Sequence, residues 1–247
     1  MSARVTDIWR HPIKSHGREA LDTVTLSAGQ TLPWDRVWAV AHEKSDADGN
    51  IWVPCQNFSR VSKAPQLMAL TATLDEATEV ITLRHPARPD LRLAPDRDGD
   101  AFLDWVKPLM PENRAQSARI IRSRERGMTD SDFASVTLCN MSSHRAVEQK
   151  LGQPLSIHRW RGNIWMDGLA PWEEFDWMDR EVQVGNAVFK VRERTERCVA
   201  TTTNPDSGVR DADTLGTLRS WGHSDFSVRA EVVRSGDVSL GDPVRLL

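Results

Sequence analysis

The sequence predicts a mainly β protein with a few helices, an α+β chain built around a β-barrel, and three observations carry that expectation. Short β-branched or aromatic runs recur along the chain between Pro, Gly and Asp punctuation. Only two or three segments show helical spacing of apolar residues. No internal repeat or low-complexity tract interrupts the pattern, and many short strands with few helices favour a barrel.

Taken in order, strands are expected at Val5 to Trp9, Thr23 to Leu26 and Val37 to Ala41. Leu67 to Leu74 and Val80 to Leu83 read as a hairpin across Asp75-Glu76-Ala77-Thr78. Asp100 to Leu109 places Phe102, Leu103, Trp105, Val106 and Leu109 at helical spacing, with Pro108 limiting its end. Residues from Pro111 to Ser135 are polar and charged, and read as an inter-lobe connection or mobile loop. The second half opens with a strand, Val136 to Cys139, and a helix N-capped by Ser142 or Ser143 with Ala146, Val147 and Leu151 on one face. Strands follow at Asn163 to Met166, Glu181 to Val184, Ala187 to Arg192 and Ser227 to Val233, the hairpin signal Gly185-Asn186 joining two of them. A short helix from Thr214 to Trp221 closes on Gly222, and the chain ends in a turn and a final strand.

Composition narrows the function. A net charge of −3 with a pI near 6.2 speaks against a dedicated nucleic-acid binder, which needs clustered positive charge. No run approaches the roughly 18 apolar residues of a membrane span, and the N-terminus lacks the apolar stretch of a signal peptide, so a cytoplasmic protein without membrane contact is expected. Three cysteines without CxxC spacing argue against a disulfide framework and a cysteine-only zinc site. The seven histidines form no compact ligand spacing, and the glycine-rich Rossmann, P-loop and hydrolase motifs are absent.

Four segments could carry chemistry. Cys198 lies in Arg194-Thr195-Glu196-Arg197-Cys198, where flanking arginines favour a thiolate that can attack a substrate, carry sulfur or ligate a soft metal. The turn sequence Asn204-Pro205-Asp206-Ser207-Gly208 follows it. His11-Pro12-Ile13-Lys14-Ser15 reads as a solvated turn or as a phosphate-binding corner of ammonium, hydroxyl and backbone N–H groups. Asp35-Arg36 forms a local ion pair or an anion-binding fork. In Trp160-Arg161-Gly162-Asn163-Ile164, glycine permits close backbone approach to a ligand while Arg161 and Asn163 offer polar contacts; an exposed β-turn would look similar. Cys139 suits a buried small hydrophobe, and Cys55 reads as incidental.

Together these segments resemble the MOSC domain proteins, named after the C-terminal domain of molybdenum cofactor sulfurase, with their N-terminal β-barrel region. HPIKS, DR, WRGNIWMDG, EEFDW, RTERCVATTTNPDSG and VRSGDVSLGDPV follow the family's order over nearly the whole chain. The resemblance implies an N-terminal β-barrel region over residues 1–115 and a MOSC domain over 116–247. It implies the molybdenum cofactor, Mo-molybdopterin, with Cys198 as metal ligand and catalytic residue. Lys14, Ser15, Arg36, Ser142, Arg161, Asn163 and Arg197 are the implied contacts to its phosphate and pterin.

The implied activity is reduction of an N-hydroxylated or other oxygenated small-molecule substrate, with electrons from a separate electron-transfer protein. Alternatives of other classes are a sulfur-carrier or cofactor-delivery protein with a Cys198 persulfide, and a binding module for another phosphorylated ligand. The chain departs from the family pattern at Ser62-Lys63 before Ala64-Pro65-Gln66-Leu67, at Glu174-Phe175-Asp176-Trp177, and at Ser227 after Phe226, where the family carries a glycine. These departures are expected around the pocket and bear on the substrate.

Overall fold

A computed structural model describes residues 3–247. The strands and helices run β1 (Arg4–Arg10), β2 (Glu19–Leu21), β3 (Thr23–Leu26), β4 (Trp38–His42), β5 (Thr71–Asp75), β6 (Val80–His85), β7 (Arg88–Leu93), α1 (Gly99–Val106) and β8 (Ser117–Arg122). They continue β9 (Val136–Asn140), α2 (Met141–Leu151), β10 (Ile164–Asp167), β11 (Glu181–Val184), β12 (Ala187–Glu196), α3 (Thr214–Arg219), β13 (Asp225–Arg234), β14 (Gly236–Ser239) and β15 (Val244–Leu246).

Eight strands form the main sheet in the order β15-β11-β12-β13-β9-β10-β1-β2. Its pairs are antiparallel except β9 with β10, which α2 joins as a crossover. The sheet curls on itself: Val5 N–H donates to Asp242 O and Val244 N–H to Ala3 O, both at 2.9 Å, bringing the first strand against the approach to the last. Val5, Ile8, Leu138, Ile164, Phe189, Val228 and Val232 fill the interior of this barrel-like curl. A bulge between Val5 and Asp7 lets both Val5 and Ile8 face that core despite their odd spacing.

The remaining strands form three small sheets: β14 with β3, β4 with β8, and β5-β6-β7. A second core holds Ile13, Trp38, Leu67, Leu83, Phe102 and Trp105 together, with Phe102, Trp105 and Val106 of α1 buried one helical turn apart. The fold is therefore mainly β with few helices, as expected. Strand pairing crosses residue 115 in both directions, since β1 and β2 join the main sheet while β8 pairs with β4.

Several elements differ from the sequence expectation. The hairpin's first strand is short, because Pro65–Ala69 winds into a 3₁₀ turn ahead of β5. The segment from 111 to 135 is neither a linker nor a loose loop. It supplies β8, and Arg126 pins its remainder by donating to the carbonyls of Phe133 at 2.7 Å and Ser131 at 3.0 Å. The N-cap of α2 is Asn140, whose side chain accepts from Ser142 N–H at 2.8 Å; both serines lie within the helix.

Candidate functional site

The site forms where the two halves of the chain meet. Lys14 and Ser15 follow β1, and Arg36 precedes β4. Backbone bonds from Lys14 N–H to Trp38 O (2.7 Å) and from Arg36 N–H to His11 O (2.8 Å) stitch the two loops together. The buried Asp35 carboxylate locks this corner by accepting from His11 N–H at 2.7 Å and pairing with Arg36. Burial alone would raise that carboxyl's pKa, but Arg36 and then His11 outweigh it and hold it well below the carboxylate range.

From the other side come Arg159, Trp160 and Arg161, the end of a 3₁₀ turn, and the end of β12 with Thr195, Arg197 and Cys198. Cys198 caps the turn Val199–Thr202, its carbonyl accepting from both the N–H and the hydroxyl of Thr201 at 3.1 Å. Its side chain is exposed at one continuous cavity.

Charge defines this cavity. Seven cationic side chains line it (Lys14, Arg36, Arg60, Arg159, Arg161, Arg197 and Arg229) against two acidic ones, Asp130 and Glu196. Arg161 finds a partner for Nη2 in Gly17 O at 3.3 Å, while Nη1 is buried with none. Burial, then the nearby Arg36, lowers its pKa to about 9. Lys14 is buried, donates to Met128 O at 2.6 Å and pairs with Asp130. Burial depresses its pKa, and Asp130 offsets part of that. Backbone strain gathers here as well: Ser15 (φ 64°), Arg36 (φ 57°) and Arg161 (φ 49°) all adopt the left-handed region that disfavours a side chain. Cations held at close quarters on strained backbone suit an anionic ligand that neutralises them.

Of the residues expected from sequence, Lys14, Ser15, Arg36, Arg161, Arg197 and Cys198 line this one cavity. Asn163 does not. Its side chain accepts from Thr137 N–H and donates to Trp9 O, each at 3.1 Å, and so ties β9 and β1 together beside β10. Ser142 is also absent from the lining, its hydroxyl accepting from Arg145 at 2.9 Å on the outer side of α2. Arg197 spends its donors on the protein: Trp160 O at 2.7 Å, Phe226 O at 2.9 and 3.0 Å, and the Ser227 hydroxyl. It contributes charge and holds the cavity wall.

Arg194, expected to flank the thiol, lies over the Phe175 ring at 4.3 Å and is not in the lining. Gly162 allows close backbone approach to a protein atom, the sulfur of Cys139, where any Cβ would collide. Cys139 itself is fully buried, with its thiol pushed up to about 12 by burial, as its inert reading requires.

Of the departures from the family pattern, only Ser62 reaches the lining. Glu174 is buried beneath α2, accepting from Asn140 Nδ2 at 2.7 Å and from the Ser143 hydroxyl at 2.8 Å. Ser227 adopts φ 68°, the conformation that suits the family's glycine, and its hydroxyl serves Arg197. Sequence reasoning missed Cys55, Arg60, Asp130, Arg159, Thr195 and Arg229, which all line the cavity. Cys55 is not incidental: its sulfur accepts from Arg60 Nη1 at 3.0 Å. Spacing from the recognised motifs could have flagged Arg159, two residues before Arg161; nothing local distinguishes Cys55 or Arg229.

The fold and site define a mainly β protein whose curled sheet carries an exposed thiol at a strongly cationic cavity. The chain belongs to the MOSC family: residues 2–129 match the MOSC N-terminal beta barrel domain and residues 125–245 the MOSC domain. It is 23% identical over 292 residues to mitochondrial amidoxime reducing component 2 of Bos taurus, covering 97% of this chain and 82% of that protein. A shorter match, 32% over 126 residues, links 46% of the chain with 36% of mitochondrial amidoxime-reducing component 1 of Xenopus laevis. Molybdenum cofactor sulfurase of Anopheles gambiae is 26% identical over 138 residues, spanning 49% of this chain and 18% of that protein. Among solved structures, the YUAD protein of Bacillus subtilis aligns over 99% of the chain and 94% of its own, with a TM-score of 0.45 and 11% identity. No helix among the described residues is long and apolar enough to cross a membrane.

Proposed function

We propose that this protein binds the molybdenum cofactor in the cavity and reduces N-hydroxylated or other oxygenated small molecules. The observation that carries this reading is one exposed thiol, Cys198, set in a cavity whose lining holds seven cations and two acids. The residues present fit the group. Buried Arg161 has an N–H without a partner, and a phosphorylated pterin supplies the anionic oxygens such a donor requires. A thiolate is a soft ligand suited to molybdenum.

In this reading Lys14, Ser15, Arg36 and Arg161 hold the phosphate and pterin, and Cys198 ligates the metal. Arg197 keeps the wall in place through Trp160 and Phe226. Asn163 and Ser142 lie outside the cavity lining, and this reading assigns them no contact to the cofactor. When bound, the group supplies two-electron oxygen-atom chemistry, with electrons delivered by a separate protein. The protein's own task is to orient the ligand and neutralise its charge. The Lys14–Asp130 and Arg36–Asp35 pairs hold two of the cations in fixed positions before it arrives.

The same exposure of Cys198 favours one second reading, a persulfide used for sulfur transfer. The test is reduction of an amidoxime to its amidine by protein purified from a cofactor-competent host, using a chemically reduced dye as electron source. The reductase reading expects turnover in the wild type and none in Cys198→Ala. A wild-type protein that carries labile sulfur and reduces nothing would move the assignment to sulfur transfer.

A further inference from the structure

Two buried polar side chains in the cavity wall lie outside the set carried over from the family, and neither is satisfied. Arg159 is 4% exposed; Nη2 donates to Asp211 Oδ1 at 2.6 Å, while Nε and Nη1 are buried without a partner. Thr195 is also 4% exposed, and its hydroxyl is buried without a partner. Both line the same cavity. A buried guanidinium N–H or hydroxyl without an acceptor is costly, so a wall that retains these donors has a use for an incoming oxygen.

Arg159 is also held rigidly. Its partner Asp211 accepts from Asn204 Nδ2 at 2.7 Å, and the Asp211 N–H donates to Thr202 O at 3.1 Å. Asn204 opens the Asn204-Pro205-Asp206-Ser207-Gly208 turn, so that motif serves the site indirectly by buttressing Arg159. The neighbouring Trp160 ring stacks on Phe226 at 3.9 Å, fixing the 3₁₀ turn that carries Arg159. A donor immobilised before binding loses little entropy when its ligand arrives.

We propose that Arg159 and Thr195 form an oxyanion subsite, with the guanidinium and the hydroxyl donating to one phosphate or carboxylate group. Two sources share this chemistry: the terminal phosphate of the cofactor, and an anionic group on the substrate. The subsite rests on the molybdenum reading only for naming the first source, because the unpaired donors exist in the protein alone.

The test titrates inorganic phosphate by calorimetry into full-length, metal-free protein, and so reads the subsite whether or not molybdenum ever binds. Wild type is compared with Arg159→Gln, Arg159→Lys and Thr195→Val, with Arg192→Gln on the surface as control. The expected result is affinity lower by roughly tenfold or more in Arg159→Gln, since charged hydrogen bonds are lost. Thr195→Val, close to isosteric, is expected to weaken binding by roughly threefold and covers the case in which Arg159→Gln does not fold. Equal phosphate affinity in wild type, Thr195→Val and every folded Arg159 variant would overturn the proposal. Cofactor-loaded protein then assigns the source. Loss of phosphate binding on loading, with less pterin retained by Arg159→Gln, supports the cofactor's phosphate. Phosphate binding that survives loading and is displaced by an anionic substrate supports the substrate's group.

Discussion

His16 shows how much a single side chain contributes behind the site. It is fully buried next to the Lys14-Ser15 corner, with Nδ1 at 2.7 Å from Lys14 O and Nε2 without a partner. Burial lowers its pKa from 6.5 to about 4, so the folded protein holds it neutral where the unfolded chain would protonate it. The linkage has a definite sign. His16 leaves stability unaffected above pH 6.5, and stability is lost as pH falls from about 6.5 toward 4, after which both states carry the proton. At about 1.4 kcal/mol per pKa unit, His16 accounts for about 3 kcal/mol across that window. Urea unfolding at pH 7, 5.5 and 4.5 should therefore show a shallower decline in His16→Gln than in wild type; parallel declines would rule His16 out. His11 and His158, also depressed mainly by burial, act in the same direction and leave some slope in the variant.

At the scale of elements, the turn into β10 is the test of how the site is built. Gly162 abuts the Cys139 sulfur of β9, and Asn163 bonds β9 on one side and β1 on the other. Gly162→Ala is expected to cost about 1–3 kcal/mol by overpacking. Cys139→Ala in the same chain should return most of that cost, a coupling that thermal melts of the single and double variants would measure. An additive pair of effects would mean that the sulfur does not set the glycine. This region also marks where the sequence was and was not legible. Alternating apolar residues and the Gly185-Asn186 turn placed β3 and β11 with their observed bounds and the start of β12, because those signals are local. The roles of Asn163 and Gly162 were not legible, since their partners Thr137, Trp9 and Cys139 are brought close only by tertiary pairing. The strand β8 was hidden for the same reason: its polar, arginine-rich segment pairs with β4 through backbone bonds that side-chain pattern does not announce.

At the scale of the whole molecule, the cavity exists because two halves of the chain converge. Lys14, Ser15 and Arg36 approach from the N-terminal strands, and Arg161 and the Cys198 turn from the C-terminal half. Six of the eight residues expected at the site meet there, and the motifs made those six legible. The excess of cations was not, because Arg60, Arg159 and Arg229 lie far apart in sequence and the net charge of −3 masks their concentration. Metal and pterin analysis of protein from a cofactor-competent host, wild type beside Cys198→Ala, tests the central claim most directly. One molybdenum and one pterin per wild-type chain, with the metal lost in the variant, is the predicted result. A wild-type protein that folds, purifies from that host and carries neither would contradict it.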